Sequence, residues 1–419
     1  MMVATYCGID FGTSNTTVGV SDGSMAHLIP LEGSHLTLPS AMFFDADDHD
    51  IHYGRSAIDL YLNGNEGRFM RALKSILGTS LIHEKTYIHQ KAVPFASILG
   101  FYFSNLKIQI EKQLNREISD VVLGRPVRFV DKDDKADAEA QRMLGRIARA
   151  QGFRNIEFQY EPIAAALDYE QRISGEELVL IVDIGGGTSD FSIVRVSPDR
   201  RGTRQRGDDI LANGGIHIGG TDFDRLLSLK TVMPHLGFGS STADHKRNLP
   251  THYYHELATW HRINQLYKKN VLGELRQIRY EAERRDLVDR FIRIVEEQQG
   301  HTIAIAVEQA KIDLTTEPAT TAIVGDHGDW ARLRFTRDDF DEAIADSIER
   351  VVATVQRLLG DACIVAGDIN TIFLTGGSSM VPALREGILA LFPQAKIAES
   401  DLLGSVGIGL SLDARSKFG

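Results

Sequence analysis

The residues best suited to chemistry lie in the run Asp183-Ile-Gly-Gly-Gly-Thr-Ser-Asp190. Gly185, Gly186 and Gly187 carry no Cβ and tolerate positive φ, so their backbone N–H groups can converge on an anion at close range. Asp183 would repel that anion unless a cation lay between them, which points to phosphate together with a hydrated Mg2+. Taken alone, the run also reads as a glycine-rich hairpin without a ligand. The pattern occurs twice, however. Gly8-Ile-Asp-Phe-Gly-Thr-Ser-Asn15 repeats the order of carboxylate, glycine, Thr and Ser, with Asp10 as the carboxylate and Gly12, Thr13, Ser14 and Asn15 in the turn. Matching hairpins imply two similar half-chains that close on one polyphosphate, with Asp10 and Asp183 flanking a single metal ion.

The flanking segments supply the elements that must hold these turns. Leu178–Val182 and Phe191–Val194 are apolar and rich in β-branched residues, as buried strands are, and Val3–Cys7 and Thr16–Val20 frame the first turn in the same way. Lys74 lies among apolar residues of Phe69–Gly78, read here as helical, where a lysine ordinarily snorkels to solvent. Glu161 precedes Pro162 and a small-residue helix suited to close packing, and could act simply as its cap. Gly219, Gly220 and Thr221 open another helix, either as a second phosphate loop or with Thr221 or Asp222 as its N-cap. Glu308 and Lys311 fall three apart on one helical face, the spacing of a surface ion pair. Gly376, Gly377 and Ser378 follow the strand Thr371–Thr375, as a ligand loop or a tight strand-to-helix turn. Asp131, Asp133 and Asp134 start a helix whose dipole they complement. Arg200–Arg206 reads as a solvated hairpin tip, and 231–300 as a solvated helical insertion of alternating charge.

The chain has 419 residues, 43% of them hydrophobic, enough for a large core divided into two or more units. A net charge of −11 argues against nucleic-acid or membrane-surface partners held by bulk electrostatics. Cys7 and Cys363 are too few for a disulfide framework or a zinc site. No apolar run reaches membrane-spanning length and no signal-peptide pattern opens the chain, so a cytoplasmic location is expected.

In this order the pieces resemble the actin-like ATPase superfamily, and within it the nucleotide-binding domain of the seventy-kilodalton heat-shock chaperones, in particular the truncated YegD-like branch. The resemblance runs from Gly8 to about Leu410 and is faint over 231–300. It implies an α/β, ribonuclease H-like, duplicated two-lobe fold, each lobe built on a five-stranded mixed sheet, with a central nucleotide cleft. Lobe I would comprise 1–175 plus 400–419, and lobe II 176–399. On the same resemblance Lys74 orients the attacking water, Glu161 and Asp183 assist it, and Thr13 and Thr188 contact the terminal phosphate. Asp10 and Asp183 stand beside Mg2+. Glu308, Lys311 and Thr315 hold the adenosine with Gly376, Gly377 and Ser378, and Asp401 belongs to the cofactor-binding set.

Ile312 and Met380 stand where the chaperones place arginines on the two faces of adenine, which implies weaker or altered base recognition by about 1–2 kcal/mol at each position. The expected activity is slow Mg2+-dependent ATP hydrolysis coupled to lobe closure in a monomer that meets a client or regulatory protein and lacks a separate peptide-binding domain. Rivals are a sugar- or acetate-type kinase, a nucleotide-dependent filament protein and a nucleotide-sensing regulator.

Overall fold

The computed structural model describes residues 5–22, 25–130, 133–170, 173–201, 203, 205–324, 332–398 and 404–419. Each glycine hairpin lies at the centre of its own sheet. In the first sheet Asn155–Tyr160, Asp120–Arg125, Thr5–Phe11, Asn15–Asp22 and Met25–Leu28 lie side by side in that order. In the second the order is Lys396–Ile397, Thr371–Thr375, Glu177–Ile184, Ser189–Val196 and Ile210–Ile216. The pairing senses also agree. Thr5–Phe11 is antiparallel to Asn15–Asp22 and parallel to Asp120–Arg125, as Glu177–Ile184 is to Ser189–Val196 and Thr371–Thr375. The duplication inferred from two short motifs therefore extends to the topology of both sheets. The first sheet departs from the expected five strands by a sixth, Thr37–Pro39, added beside Asn15–Asp22.

Central strands covered on both faces need continuous apolar runs. Val179, Leu180, Ile181 and Val182 are accordingly all buried, as are Cys7 and Ile9. The first sheet packs on the helix Phe95–Leu114 through Ile98, Tyr102, Phe103 and Leu106. A separate core joins the two halves, where Val122 of the first sheet meets Val179, Ile181 and Phe373 of the second through the helix Glu161–Glu170 and the helix Ser405–Phe418. Glycines permit that last helix to cross closely. A Cβ on Gly409 would fall 1.8 Å from the Ala164 carbonyl oxygen, and one on Gly407 2.6 Å from Thr17 Oγ1.

Three local expectations are corrected. Lys74 is not on an α-helix: a strand, Gly67–Arg71, runs into a 3-10 turn, Leu73–Ile76, through Ala72 in the left-handed region at φ 57°. The segment 231–300 is not merely a solvated insertion. Its helix Arg285–Glu296 presents Val288, Phe291, Ile292, Ile294 and Val295 to the second half's core, each such burial contributing about 1.5–3 kcal/mol. Arg206 lies in the connection between the antiparallel strands Ser189–Val196 and Ile210–Ile216, as expected, but it is not solvated. Its side chain is 2% exposed and lies between Glu170, 2.7 Å away, and Asp209. Asp133 does cap the helix Asp134–Ala150, while Asp131 lies outside the described residues.

Candidate nucleotide site

The two hairpin turns meet. A Cβ on Gly186 would come within 2.3 Å of Ser14 Oγ, so the second turn's glycine is pressed against the first turn's serine. Gly12 closes the first turn on itself, since a Cβ there would lie 2.2 Å from the Asn15 carbonyl oxygen. Thr13 is partly buried and Asn15 exposed at its rim. Cβ atoms on Gly187 and Gly377 would meet nothing within 4 Å, which leaves those two backbones facing open space.

The remaining glycine loops close around the second turn. Gly220 N–H donates to the Gly185 carbonyl at 3.0 Å, and Thr221 donates to the Gly186 carbonyl from both N–H, at 2.7 Å, and Oγ1, at 2.8 Å. Thr221 therefore ties two loops together and is not the N-cap of its helix. Asp222 accepts the Gly219 N–H at 3.1 Å, and the helix begins at Gly220. Ser378 Oγ donates to the Gly185 carbonyl at 3.2 Å, and Gly376, at φ 78°, lets the chain pass Asp183, whose Oδ1 would be 2.7 Å from any Cβ there.

At the junction Lys74 Nζ donates to Glu161 Oε1 at 2.7 Å, with the two side chains 13% and 14% exposed. The left-handed turn at Ala72 lets the chain leave its strand and carry Lys74 to Glu161, which heads the connecting helix Glu161–Glu170. Asp10 and Asp183 are close enough to act on this pair. Burial pushes the Asp10 carboxyl up to about 7, with Glu161 adding to the rise and Lys74 opposing it. Burial pushes Asp183 up to about 8, with Asp190, Glu161 and Asp10 adding to it and Lys74 opposing. Burial would lower the Lys74 ammonium, but Glu161, Asp10 and Asp183 outweigh it and hold the pKa above its ordinary value.

Three carboxylates thus face one lysine, and the surplus negative charge suits a divalent cation. Among the described residues, the carboxylate and imidazole group whose ligand atoms all fall within 4.8 Å is a different one, Asp45, Asp48 and His52. Its carboxylates already accept the Asp47 and Asp50 N–H groups of their own hairpin turn. The wider set of Asp10, Glu161 and Asp183 fits an ion that keeps much of its water shell, as Mg2+ does.

Lys311 is not in a surface pair with Glu308. Its side chain is 10% exposed, and Nζ lies 2.8 Å from Asp224 Oδ1 and donates to the Gly220 carbonyl at 3.3 Å. Burial pushes Asp224 up to about 6 against the pull of Lys311, with Glu308 raising it further and Arg71 lowering it. Ile312 is 50% exposed and Met380 39% exposed, beside Lys311 and the Ser378 loop that meet at Gly220. Thr315 Oγ1 donates to the Ile312 carbonyl at 2.7 Å, finishing its helix. Asp401 lies outside the described residues.

With this geometry in place, the comparisons with known proteins decide the family. A model described as "Hsp70 protein" matches residues 88–233 and 291–412, well over half of the chain. The chain belongs to the Hsp70 family. The fold is therefore the actin-like ATPase fold, two lobes around a nucleotide cleft. A curated relative, "Chaperone protein HscA" of Enterobacter sp. (strain 638), is 26% identical over 431 residues, covering 97% of this chain and 57% of the relative. The chain thus spans little more than half the length of that relative. The interval between the two matched segments, 234–290, coincides with the helical region where the sequence resemblance fades.

Three further residues bear on this Hsp70-family site. Asp190 accepts the Thr188 hydroxyl at 2.9 Å and is the first charge to act on Asp183. Asp224 and Arg71 bear on the Lys311 end. Asp190 and Asp224 were both visible as the last letters of glycine motifs, whereas Arg71 carries no local signal.

Proposed function

We propose that this chain binds ATP and ADP with Mg2+ in its cleft, hydrolyses ATP slowly and couples the nucleotide state to lobe closure. It would serve as a chaperone-type switch that acts on a client or regulatory protein. The observation that carries this reading is the apposition of Ser14 and Gly186 beside the Lys74–Glu161 pair, because it sets two phosphate-type turns and a charged cluster in one place. The lobes are read as 1–175 plus 400–419 and 176–399, the protein as a cytoplasmic monomer, and the site as one without a nucleic-acid or membrane partner. Among the described residues no helix is long and apolar enough to cross a membrane.

Phosphoryl transfer to water needs positioned donors and charge neutralisation more than a strong nucleophile. A bound Mg2+ would neutralise phosphate charge between Asp10 and Asp183. The turn amides around Gly12 and Gly185–Gly187 would hold phosphate oxygens, and Gly187 and Gly377 face the open space they would occupy. Lys74, fixed by Glu161, would orient the attacking water. Asp183, whose carboxyl is raised by burial in the ligand-free protein, would accept the water's proton once a neighbouring cation returns it to the ionised form. ATP titration and phosphate release for the wild type, Asp10→Asn and Lys74→Ala test the reading. Absence of ATP binding by the wild type would overturn it.

A second reading has one observation in its favour. A cavity of about 80 Å³ adjoins Glu161, Asp183 and Thr188 and is also lined by Arg128, Asn213 and His217, polar groups that could seat a small hydroxylated or carboxylate acceptor. Transfer of phosphate from ATP to a panel of sugars and acetate would establish it, and release of inorganic phosphate alone would exclude it.

A further inference from the structure

Arg71 leaves its strand and reaches across to the other lobe. Its guanidinium lies 4.6 Å from the ring centroid of Trp260. Burial pulls it below its ordinary pKa, while Glu308 and Asp224, both second-lobe carboxylates, pull the other way. Asp224 is in turn held by Lys311, which donates to Gly220 of the loop that closes on Gly185. Arg71 thus joins a first-lobe strand to Trp260 by contact and acts electrostatically on Asp224, which is itself joined through Lys311 to the glycine loops of the cleft.

Its neighbours reinforce the crossing. Tyr61, from the helix Gly54–Leu62, places its hydroxyl 2.7 Å from His301 Nδ1 and stacks on Phe69, the ring centroids 4.5 Å apart. His301 also meets Trp260 edge to face at 5.0 Å. Burial drives His301 down to about 4, with a bond to the Trp260 backbone opposing and Arg71 lowering it further, so the imidazole is neutral. In this otherwise uncharged contact Arg71 contributes the cation.

The geometry points to Arg71 as the residue that ties occupancy of the nucleoside end of the cleft to contact between the lobes, and thereby sets how long a nucleotide stays bound. Asp224 and Glu308 are balanced by Lys311 and Arg71 together. Without Arg71 that end carries an excess carboxylate beside a polyanionic ligand, and the lobe that supplied the charge no longer holds the other one closed. Arg71 is a positioning residue: it is separate from the Lys74 cluster, so its loss affects retention and not the attack on phosphate. This inference rests on the reading of the cleft as a nucleotide site.

Dissociation of a fluorescent ADP analogue, measured by stopped flow in the presence of Mg2+, tests it on the full chain. Arg71→Met is expected to release the analogue about tenfold faster or more, as loss of one member of a buried charge set acts mainly on the off-rate. Arg71→Lys keeps the charge but not the flat face against Trp260, so it should restore only part of the retention. Trp260→Leu is expected to raise the off-rate about threefold. KM for ATP should rise in Arg71→Met while turnover at saturation stays within about twofold, a split that general loosening would not produce. An off-rate for Arg71→Met within about twofold of the wild type, with the wild type binding normally, overturns the Arg71 assignment alone. A wild type that binds neither ADP nor ATP overturns both this inference and the function on which it rests.

Discussion

The two ends of the cleft balance charge differently. Around Lys74, three carboxylates, Asp10, Glu161 and Asp183, face a single ammonium group. Around Lys311, the carboxylates Asp224 and Glu308 face two cations, Lys311 and Arg71. Both ends are largely buried, so neither imbalance nor balance is screened by solvent. The phosphate end stays short of positive charge until a metal ion arrives, and Asp10 and Asp183 show this in carboxyl groups held near neutral pH by burial and by neighbouring carboxylates, Glu161 among them for both. The nucleoside end is already compensated, so its affinity depends on fit. Metal dependence should belong to one end and base selectivity to the other.

The largest expected break in this contrast is Lys74→Ala. Turnover should fall by about a hundredfold or more, because Glu161 loses the partner that fixes it and the attacking water loses its donor. Removing the cation also deepens the negative surplus, so Mg2+ should bind at least as tightly as in the wild type. Titration calorimetry with Mg2+ beside a phosphate-release assay separates the two effects, and weakened Mg2+ binding would contradict the charge count.

The next test is pH. Asp10 and Asp183 have folded-state values, about 7 and about 8, above the 3.8 of an unperturbed aspartate. A carboxyl whose pKa is raised by folding contributes stability below its unfolded value and loses it as pH rises through the folded one. From these two groups the ligand-free protein should become less stable between pH 4 and pH 8. The midpoint of thermal unfolding should fall by about 1 °C for each kcal/mol lost. Mg2+ with ADP should reverse the loss, and Asp10→Asn with Asp183→Asn should flatten the profile. A profile unchanged by that double substitution would show that other groups govern it.

At the compensated end a single charge should matter less. Asp224→Asn keeps an acceptor for Lys311 and is expected to weaken ADP binding by about fivefold, a hydrogen bond's worth. Its Mg2+ dependence should match the wild type, and a shift in metal affinity would mean that the two ends are not separate. The smallest effect is expected at Ile312, which is 50% exposed beside Lys311. Ile312→Arg should tighten ATP by about 0.5–1 kcal/mol if a guanidinium there can cover the base. Fluorescence titration with ATP against GTP would show whether that gain is specific to adenine.

The glycine turns were legible because their chemistry is local: a backbone that must approach an anion or another loop cannot carry a Cβ, and Gly186 against Ser14 shows why. The hidden part depends on partners brought from afar. Arg71 gains its meaning from Trp260, and Lys311 exchanges the neighbour suggested by helical spacing, Glu308, for Asp224 on another helix. Arg206 likewise leaves an apparently solvated loop to pair with Glu170 at the far end of the connecting helix. The element around Lys74 was misread because a left-handed residue, Ala72, turns an apolar strand into a 3-10 turn without glycine to mark it. The helices of 231–300 carry abundant charge on one face, which masked the apolar stripe they bury.

The close crossing of Ser405–Phe418 over Ala164 and the first hairpin has a bearing on how the protein is made. The strands Thr5–Phe11 and Asn15–Asp22 must wait for a segment about four hundred residues later before the second face of their sheet is covered, whereas the second sheet can assemble from a shorter span of chain. During synthesis the first hairpin is therefore an unfinished surface until the helix Ser405–Phe418 has emerged to seal it.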